Sequence, residues 1–232
     1  AGCGGSQVRQ QLRRKPAVVP KGNGPGSGRW RKWKHLRQGR PWAASYHAAM
    51  QSDFAQQLCR PLQTLRLQLT PLMGSHADAA FGPMQDDAIY EWISMNKPRT
   101  VETLRANWTR LESRLSTDGA DAWPVWAVTR RSDGALVGEV DAVVDDNIVC
   151  TNLGYYFFPD YWGQGYATEA VKAVADYLIS QGIHRLVATV TVGNHASAQV
   201  LKKAGFAFTR VIPENDTLRG EPVDDEEYVR AV

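Results

Sequence analysis

The sequence has few cysteines, no long apolar run and, over its first 49 residues, no acidic side chain. Its three cysteines, Cys3, Cys59 and Cys150, are too few and too widely spaced for a disulfide framework or a metal cluster, and they fit a reducing compartment. No stretch approaches the roughly 18 consecutive apolar residues that a membrane-spanning helix needs. Because 43% of the 232 residues are hydrophobic, we expect a packed core. From the cysteine count and the lack of a long apolar run, we expect a cytoplasmic protein with no membrane partner and no bound metal.

Charge is divided unevenly along the chain. Residues 1–49 carry eleven of the 27 Lys and Arg side chains and none of the 24 Asp and Glu, so residues 50–232 hold 16 basic and 24 acidic side chains, a net charge of −8. An acidic domain lacks the basic face with which nucleic-acid-binding proteins hold phosphates. We therefore do not expect residues 50–232 to bind nucleic acid.

The basic segment, residues 1–49, also carries eight of the 20 glycines and has no apolar periodicity, so we expect it to be disordered and residues 50–232 to form the folded domain. Three interpretations stay open. The segment is a basic arm for ribosome or RNA phosphates, with Trp30, Trp33 and Trp42 for stacking, or an organelle transit peptide, or non-native sequence upstream of Met50, the first methionine. Contact with nucleic acid or ribosomes is expected only if the segment is native.

The patterning of residues 60–232 predicts an α+β domain in which an antiparallel meander precedes a strand–helix–strand unit. The predicted elements, in order, are a strand over 64–69, a broken helix over 76–92, a helix capped by Thr100 and ending near Leu115, strands over 125–129, 136–144 and 149–158, a helix over 165–181, a strand over 185–192, a helix over 196–204, and strands over 206–211 and 227–232.

One segment, GYYFFPDYWGQGYATEA at residues 154–170, joins a strand to a helix through a turn that contains Gly163 and Gly165. Glycine lets the backbone turn tightly and approach a ligand, and the unpaired N–H groups of a helix start suit a phosphate or pyrophosphate. The pattern is neither a P-loop, since no Lys-Ser or Lys-Thr follows, nor a dinucleotide fingerprint, since position 168 is Thr. Alone it is weak, because a simple turn explains it as well.

A second motif, VGNHASAQVLKKAGF at residues 192–206, follows one strand later. Together the two motifs closely resemble the acyl-CoA-binding core of the GNAT superfamily of N-acetyltransferases, above all the Rim-type branch that acetylates ribosomal-protein N-termini. Residues 64–72, 136–140 and 220–228 resemble the family too, so the resemblance spans about residues 60–230. It implies a mixed, mostly antiparallel sheet with helices on both faces and a central strand–helix–strand site for acetyl-CoA. The implied acceptor is a primary amine, either a protein N-terminus or a small cationic molecule.

The resemblance also implies which residues hold acetyl-CoA. The backbone amides of residues 164–168 would hold the pyrophosphate, with Trp162 standing where many relatives have Gln or Arg, and exposed backbone of the preceding strand would pair with the pantetheine arm. Asn194 would steady pantetheine, although it is also explained as a helix cap, and Ser197 would approach the thioester sulfur. The expected cofactor-binding residues are Phe157, Phe158, Gly163, Gln164, Gly165, Tyr166, Ala167, Thr168, Asn194 and Ser197.

Direct attack of an amine on a thioester needs a base and a proton donor for the leaving thiolate. Leu201 stands where many relatives have a donor Tyr, so Ser197 is the expected donor. Asn152 stands where a carboxylate is common, which leaves Glu139 and Asp141, on one face of a strand, as expected bases, although both are also explained as solvated strand residues. A water chain, or an amine that is already neutral, would also suffice without either carboxylate.

These departures keep a non-catalytic acyl-CoA-binding or sensor module open as an alternative. Within the enzyme class, the acidic domain fits an aminoglycoside-type antibiotic acetyltransferase as well as an enzyme that acts on protein N-termini. A monomer or a homodimer is expected. The resemblance implies an acceptor groove lined by residues 81–92, 100–115, 123–126 and a late loop over 213–222.

Overall fold

The computed structural model describes residues 52–232, and the basic segment, residues 1–49, lies outside them. The helices are α1 (52–58), α2 (Ala77–Phe81), α3 (Val101–Leu111), α4 (Tyr166–Ser180) and α5 (His195–Lys203). The strands are β1 (Leu62–Gln63), β2 (Leu67–Pro71), β3 (Val125–Arg130), β4 (Leu136–Val144), β5 (Val149–Phe157), β6 (Arg185–Thr191), β7 (Ala207–Leu218) and β8 (Glu221–Ala231). Across this range, no helix is long and apolar enough to cross a membrane.

The eight strands form one sheet in the order β1-β2-β3-β4-β5-β6-β8-β7. Of the strand pairs within residues 52–232, only β5 and β6 run parallel. The expected mixed, mostly antiparallel sheet is therefore confirmed. A parallel pair needs a crossover connection, and α4 supplies it.

Both faces of the sheet carry helices, because successive strand residues point to opposite sides. In β3, Trp126 and Val128 pack into a core shared with α1, α4 and α5. Their neighbours Val125 and Ala127 pack into a second core with α2 and α3. We call these the α4 face and the α3 face. The expectation of helices on both faces is confirmed.

Helix α4 owes its position to glycine at both ends and an apolar stripe between them. Gly165, with φ of 80°, precedes its first residue, and Gly182, with φ of 92°, follows its last turn. Positive φ is strained for any residue with a Cβ, so glycine stops the helix there. The buried stripe is Ala170, Val171, Val174, Ala175 and Leu178.

The predicted strand over 64–69 and the predicted helix over 76–92 differ from the structure. Strand β2 begins only at Leu67, because the side chain of Thr64 and the backbone and side chain of Arg66 hydrogen-bond to Glu169 of α4. Region 76–92 forms the five-residue α2 and two short 3-10 helices, Pro83–Gln85 and Asp87–Glu91. Pro83 has no N–H to continue the α-helical ladder.

The expected late loop over 213–222 is wrong, because β7 and β8 form one long hairpin through this range. A register shift between Ile212 and Asp216 absorbs Pro213, which cannot donate to a ladder. The chain reverses at Arg219 and Gly220, whose φ angles are 55° and 90°. Charged and polar side chains dominate both strands, so the periodicity that marks a half-buried strand is absent there.

Candidate functional site

Strands β5 and β6 separate part-way along their length. They pair in parallel at Val149–Arg185 and Cys150–Leu186, and the register ends there. Strand β5 continues to Phe157 beside β4, while β6 continues to Thr191 beside β8. The parted strands leave a gap in the middle of the sheet, with one edge of β5 along it.

The hydrogen-bond pattern between β4 and β5 determines which backbone groups of β5 face this gap. The Ala142 N–H donates to the Pro124 carbonyl on the β3 side, and the Phe158 N–H donates to the Val137 carbonyl of β4. Antiparallel pairs alternate between hydrogen-bonded and non-hydrogen-bonded. The backbone groups of Leu153, Tyr155 and Phe157 therefore point away from β4 and toward the gap.

The two expected pantetheine contacts on this strand differ in the structure. The Phe157 carbonyl accepts a hydrogen bond from the indole N–H of Trp162 at 2.6 Å, so its N–H remains on the gap side. The Phe158 N–H donates a hydrogen bond to the Val137 carbonyl, and the Phe158 carbonyl accepts one from the Tyr161 N–H. The expectation of exposed backbone at Phe158 is wrong, and both phenylalanine side chains lie in the core.

An exposed glycine turn lies just beyond the end of β5. Gly163 and Gly165 have φ of 72° and 80°, and residues 162–165 are exposed. The first hydrogen bond of the α4 ladder runs from the Glu169 N–H to the Gly165 carbonyl. The N–H groups of Gly165, Tyr166, Ala167 and Thr168 precede that ladder and have no partner within the helix. Four donors and the positive end of the helix dipole thus meet at one exposed turn.

Contacts from the start of β2 hold this turn in place. The Arg66 Nη1 donates to the Gln164 carbonyl at 2.9 Å, and the Arg66 Nε donates to the Glu169 carboxylate at 2.6 Å. The guanidinium also lies over the buried Tyr166 ring, 4.6 Å from its centroid. The Gln164 side-chain amide donates to the Asp160 carbonyl, so only the backbone of Gln164 is directed by Arg66.

On the α4 face, the structure brings Ser197 next to Tyr155. The hydroxyl oxygens of the two residues are 2.7 Å apart, and the Tyr155 hydroxyl also donates to the Ser197 carbonyl at 3.0 Å. Burial raises the pKa of Tyr155 far above its usual range, so this phenol stays protonated. The Asn194 side chain accepts from the Ser197 N–H, which confirms that Asn194 caps α5. Leu201 is fully buried.

On the α3 face, Glu139 and Asp141 lie together with polar partners. The Tyr156 hydroxyl donates to Glu139 at 2.9 Å, and the indole N–H of Trp123 donates to Asp141 at 2.9 Å. Asp141 also lies opposite Gly154 of β5, where a Cβ would approach its carboxylate to 2.4 Å. The interpretation of both acids as solvated strand residues is wrong, because each carboxyl group has a partner from another element.

The surroundings of these two carboxyl groups favour their neutral forms. Burial and the neighbouring Asp141 charge raise the pKa of Glu139 to about 8, against the opposing hydrogen bond from Tyr156. Burial raises the pKa of Asp141 to about 6, against the opposing hydrogen bond from Trp123. A carboxylate with a pKa near neutrality is a much stronger proton acceptor than an ordinary surface acid.

Successive residues of β5 thus serve opposite faces of the sheet beside one gap. Tyr155 contacts Ser197 on the α4 face, and Tyr156 contacts Glu139 on the α3 face. The gap between β5 and β6 connects the two faces. The expected donor Ser197 and the expected bases Glu139 and Asp141 therefore lie on opposite sides of the same opening.

Segment 92–95 and the β7–β8 hairpin border the α3 side of the opening. The Trp92 ring lies 3.4 Å from where a Cβ on Gly193 would stand, next to the start of α5. The Ser94 hydroxyl is 2.7 Å from an Asp216 carboxylate oxygen of the hairpin. Among the residues that the structure describes, no group of three or more His, Cys, Asp or Glu could hold a metal ion.

Sequence reasoning missed Tyr155, Tyr156 and Arg66 as parts of this site, and it placed Trp123 in a stretch expected to line the acceptor groove without pairing it with Asp141. The two tyrosines carried a signal, since adjacent strand residues with hydroxyl groups reach opposite faces. The contacts of Trp123 and Arg66 carried none, because each residue meets its partner across a long stretch of chain: 18 residues separate Trp123 from Asp141, and 103 separate Arg66 from Glu169.

Comparison with known proteins agrees with this geometry. The family model for the acetyltransferase (GNAT) domain matches residues 66–207. The probable N-acetyltransferase YjcK of Bacillus subtilis (strain 168) is 31% identical over 161 residues, which cover 66% of this chain and 87% of YjcK. The uncharacterized N-acetyltransferase YoaA of the same organism is 24% identical over 169 residues, 72% of this chain and 94% of YoaA.

A solved structure with a similar fold is RimL, a ribosomal L7/L12 α-N-protein acetyltransferase in complex with coenzyme A. It superposes with a TM-score of 0.66 at 18% identity and covers 75% of this chain and 98% of RimL, which is a similarity of fold. The family match spans more than half of the chain and includes both glycine motifs, the parted strands and the start of α4. The chain therefore belongs to the GNAT family of acetyl-CoA-dependent N-acetyltransferases.

Proposed function

We propose that this protein transfers the acetyl group of acetyl-CoA to a primary amine by direct attack, across the gap between β5 and β6. The observation that carries the proposal is the arrangement of β5, whose successive residues Tyr155 and Tyr156 hold a hydroxyl pair on one face and a carboxylate on the other. We call the first the donor side and the second the acceptor side.

The donor side consists of the glycine turn over 163–165, the first turn of α4 and the Tyr155–Ser197 pair. The free N–H groups of residues 165–168 hold the pyrophosphate. Tyr166 contributes its backbone N–H but not its side chain, which is buried. Pantetheine carries amides at a spacing similar to that of a strand, so it pairs with the gap-facing backbone of Tyr155 and Phe157. The thioester sulfur then reaches Ser197 at the start of α5.

The acceptor side consists of Glu139, Asp141, Tyr156 and Trp123, with the Ser94–Asp216 contact at its border. Glu139 accepts a proton from the attacking amine, because its raised pKa of about 8 matches that of an α-amino group, which is also about 8. Ser197, which is hydrogen-bonded to the Tyr155 hydroxyl, donates a hydrogen bond to the leaving thiolate. The thiolate takes its proton from solvent, and Glu139 releases the proton of the amine to solvent. The net change is transfer of one acetyl group and one proton, and no further reactant is needed.

The acceptor is a cationic primary amine, because residues 50–232 carry a net charge of −8 and Asp216 of the hairpin lies at the border of the acceptor side. A negatively charged surface raises the local concentration of cations. Among such amines we place protein N-termini first, as in the Rim-type branch, since RimL acts on a protein α-amino group.

A steady-state assay of thiol release from acetyl-CoA tests this proposal. The amine panel contains short peptides with N-terminal Ser or Ala, the same peptides with blocked N-termini, polyamines and aminoglycosides. We expect turnover with free N-termini and none with the blocked peptides, with mass spectrometry locating one added acetyl group on the α-amine. Turnover confined to aminoglycosides would replace the acceptor class and keep the reaction.

Isothermal titration with CoA and acetyl-CoA separates catalysis from a sensor role. Binding without turnover on the whole panel would favour a non-catalytic acyl-CoA module. Absence of binding to both ligands would contradict the proposal altogether.

A further inference from the structure

Arg66 contacts the backbone of the pyrophosphate turn and the only acid in the first turn of α4. Its Nη1 donates to the Gln164 carbonyl at 2.9 Å, and its Nε donates to the Glu169 carboxylate at 2.6 Å. The backbone N–H of Arg66 donates to the same carboxylate at 2.9 Å, and the Thr64 hydroxyl does so at 2.6 Å. One guanidinium thus joins the turn to the helix that follows it.

The contact with the Gln164 carbonyl fixes the direction of an N–H group. Every described peptide bond is trans, and in a trans peptide the C=O and the following N–H point in opposite directions. Gly165 itself imposes little on its own peptide planes, because glycine rotates freely and its φ here is 80°. With the Gln164 carbonyl held toward Arg66, the Gly165 N–H points away from Arg66, out of the turn.

The contact with Glu169 removes a competing negative charge. A carboxylate in the first turn of a helix is itself attracted to the positive end of the helix, where a pyrophosphate would bind. Burial opposes ionisation of Glu169, but hydrogen bonds from Thr64 and Arg66 outweigh it and hold the pKa of the carboxyl below its usual range. The carboxylate is therefore ionised, and Arg66 is the cation paired with it.

On this basis, and resting on the proposed binding of acetyl-CoA, we propose that Arg66 is a positioning residue for the pyrophosphate. It orients the Gly165 N–H toward the phosphates and neutralises Glu169 beside them. The side chain of Arg66 lies behind the turn, with Nη2 3.4 Å from where a Gly165 Cβ would stand, so it acts through the backbone. Loss of Arg66 should therefore impair only acetyl donors that carry the pyrophosphate.

Comparing acetyl-CoA with S-acetylpantetheine, which lacks the pyrophosphate, tests this role. We expect Arg66→Gln to raise the KM for acetyl-CoA about tenfold, as expected for loss of charge-assisted hydrogen bonds, with kcat nearly unchanged. The kcat/KM for S-acetylpantetheine should stay within about twofold of the wild-type value, because that donor never meets the turn. An equal loss with both donors, or a loss with neither, would overturn the proposal.

Two further variants separate orientation from charge. Arg66→Lys keeps the cation but cannot bond Gln164 and Glu169 together, so its KM for acetyl-CoA should lie between those of the wild type and Arg66→Gln. The double variant Arg66→Gln/Glu169→Gln removes the unpaired carboxylate and should recover part of the lost affinity. If the double variant recovers none of the affinity for acetyl-CoA, neutralisation of Glu169 by Arg66 plays no part in binding the pyrophosphate.

Arg131→Gln is the matched control. Arg131 donates to the Thr64 and Leu65 carbonyls in the same loop, and it has no bond to the glycine turn. It should change neither KM, and a loss equal to that of Arg66→Gln would show that loop damage alone explains the effect. Failure of the wild-type protein to use either donor would contradict the proposed function, whereas an active wild type with an unaffected Arg66→Gln contradicts this inference alone.

Discussion

The donor side and the acceptor side of the gap are built from different kinds of groups. On the donor side, the N–H groups of residues 165–168 come from one continuous stretch of backbone, and the Asn194–Ser197 contact spans a single helical turn. The Tyr155–Ser197 hydroxyl pair differs, because it joins side chains 42 residues apart. On the acceptor side, every polar contact joins side chains distant in sequence: 17 residues separate Glu139 from Tyr156, and 122 separate Ser94 from Asp216.

This difference indicates which groups determine binding of acetyl-CoA and which determine recognition of the amine. Backbone donors do not depend on residue type, so the glycine turn and the first turn of α4 tolerate most substitutions except those that block or reorient the backbone. Side-chain contacts depend on every partner, so the acceptor side can change its substrate by single substitutions. Changes in the glycine turn should therefore affect binding of acetyl-CoA, and changes on the acceptor side should affect the amine or the proton transfer.

The largest expected effect comes from Gly165→Val on the donor side. A branched side chain at φ of 80° is strained, its Cβ would stand 3.4 Å from Arg66 Nη2, and it forces the turn to rearrange where phosphate meets the N–H groups. Isothermal titration should show no measurable binding of acetyl-CoA.

Gly134→Val is the matched control for backbone strain. Gly134 lies in the β3–β4 turn with φ of 73°, and nothing lies within 4 Å of the place of its Cβ. It should lower the melting temperature much as Gly165→Val does and leave acetyl-CoA affinity intact. Affinity retained within about threefold in Gly165→Val would mean that the pyrophosphate binds elsewhere.

The next largest effect is expected from Glu139→Gln on the acceptor side. Removing a general base lowers kcat by about a hundredfold, and the KM for acetyl-CoA should not change, because Glu139 lies on the other face. Unchanged turnover would exclude Glu139 as the base. A rise in the KM for acetyl-CoA would show that the two sides are not separate.

The pH dependence gives a sharper test of the same assignment. The base form of Glu139 accumulates as pH rises through about 8, so kcat/KM should rise with pH and level off above that value. Asp141 raises the pKa of Glu139, so in Asp141→Asn the rise of kcat/KM should occur at lower pH. If the rise occurs at the same pH in Asp141→Asn, it reports ionisation of the amine substrate, whose own pKa is about 8.

The two sides also differ in how far the sequence alone could predict them. For α4, β6 and α5, the predicted bounds agree with the structure within one residue at each end, because glycines end the helices and apolar residues recur with clear periods. Region 76–92 and the hairpin were predicted poorly. Their short helices and long polar strands are fixed by packing against β3 and by pairing between β7 and β8, which no local pattern records.

The candidate site follows the same division. Gly163 and Gly165 could be named as candidates from a motif, because the backbone geometry that they permit is local, and Ser197 could be named from the family resemblance of the second motif. Glu139 and Asp141 could be named as candidates from their spacing, but not their raised pKa values, which come from burial beside each other, Tyr156 and Trp123.

A smaller effect is expected from the hydroxyl pair on the donor side. Ser197→Ala removes the donor for the leaving thiolate and should lower kcat about tenfold, whereas Tyr155→Phe leaves the Ser197 hydroxyl in place and should lower kcat about threefold. The double variant should be no slower than Ser197→Ala, since both residues act on one hydrogen bond to the thiolate. Additive losses would show that Tyr155 acts independently of Ser197.

The smallest expected effect tests the border of the acceptor side. Asp216→Asn keeps a hydrogen-bond acceptor for Ser94 and removes one negative charge from the path of the amine. Because a charge at the border of the site acts mainly by attraction at a distance, the KM for a cationic peptide should rise about threefold at low ionic strength, and the difference should fade as salt is added. The KM for acetyl-CoA should not move. Asp176→Asn is the control, since Asp176 of α4 pairs with Lys172 of the same helix and with Arg230 of β8. An equal effect of the two variants would mean that overall charge, rather than the acceptor side, attracts the amine.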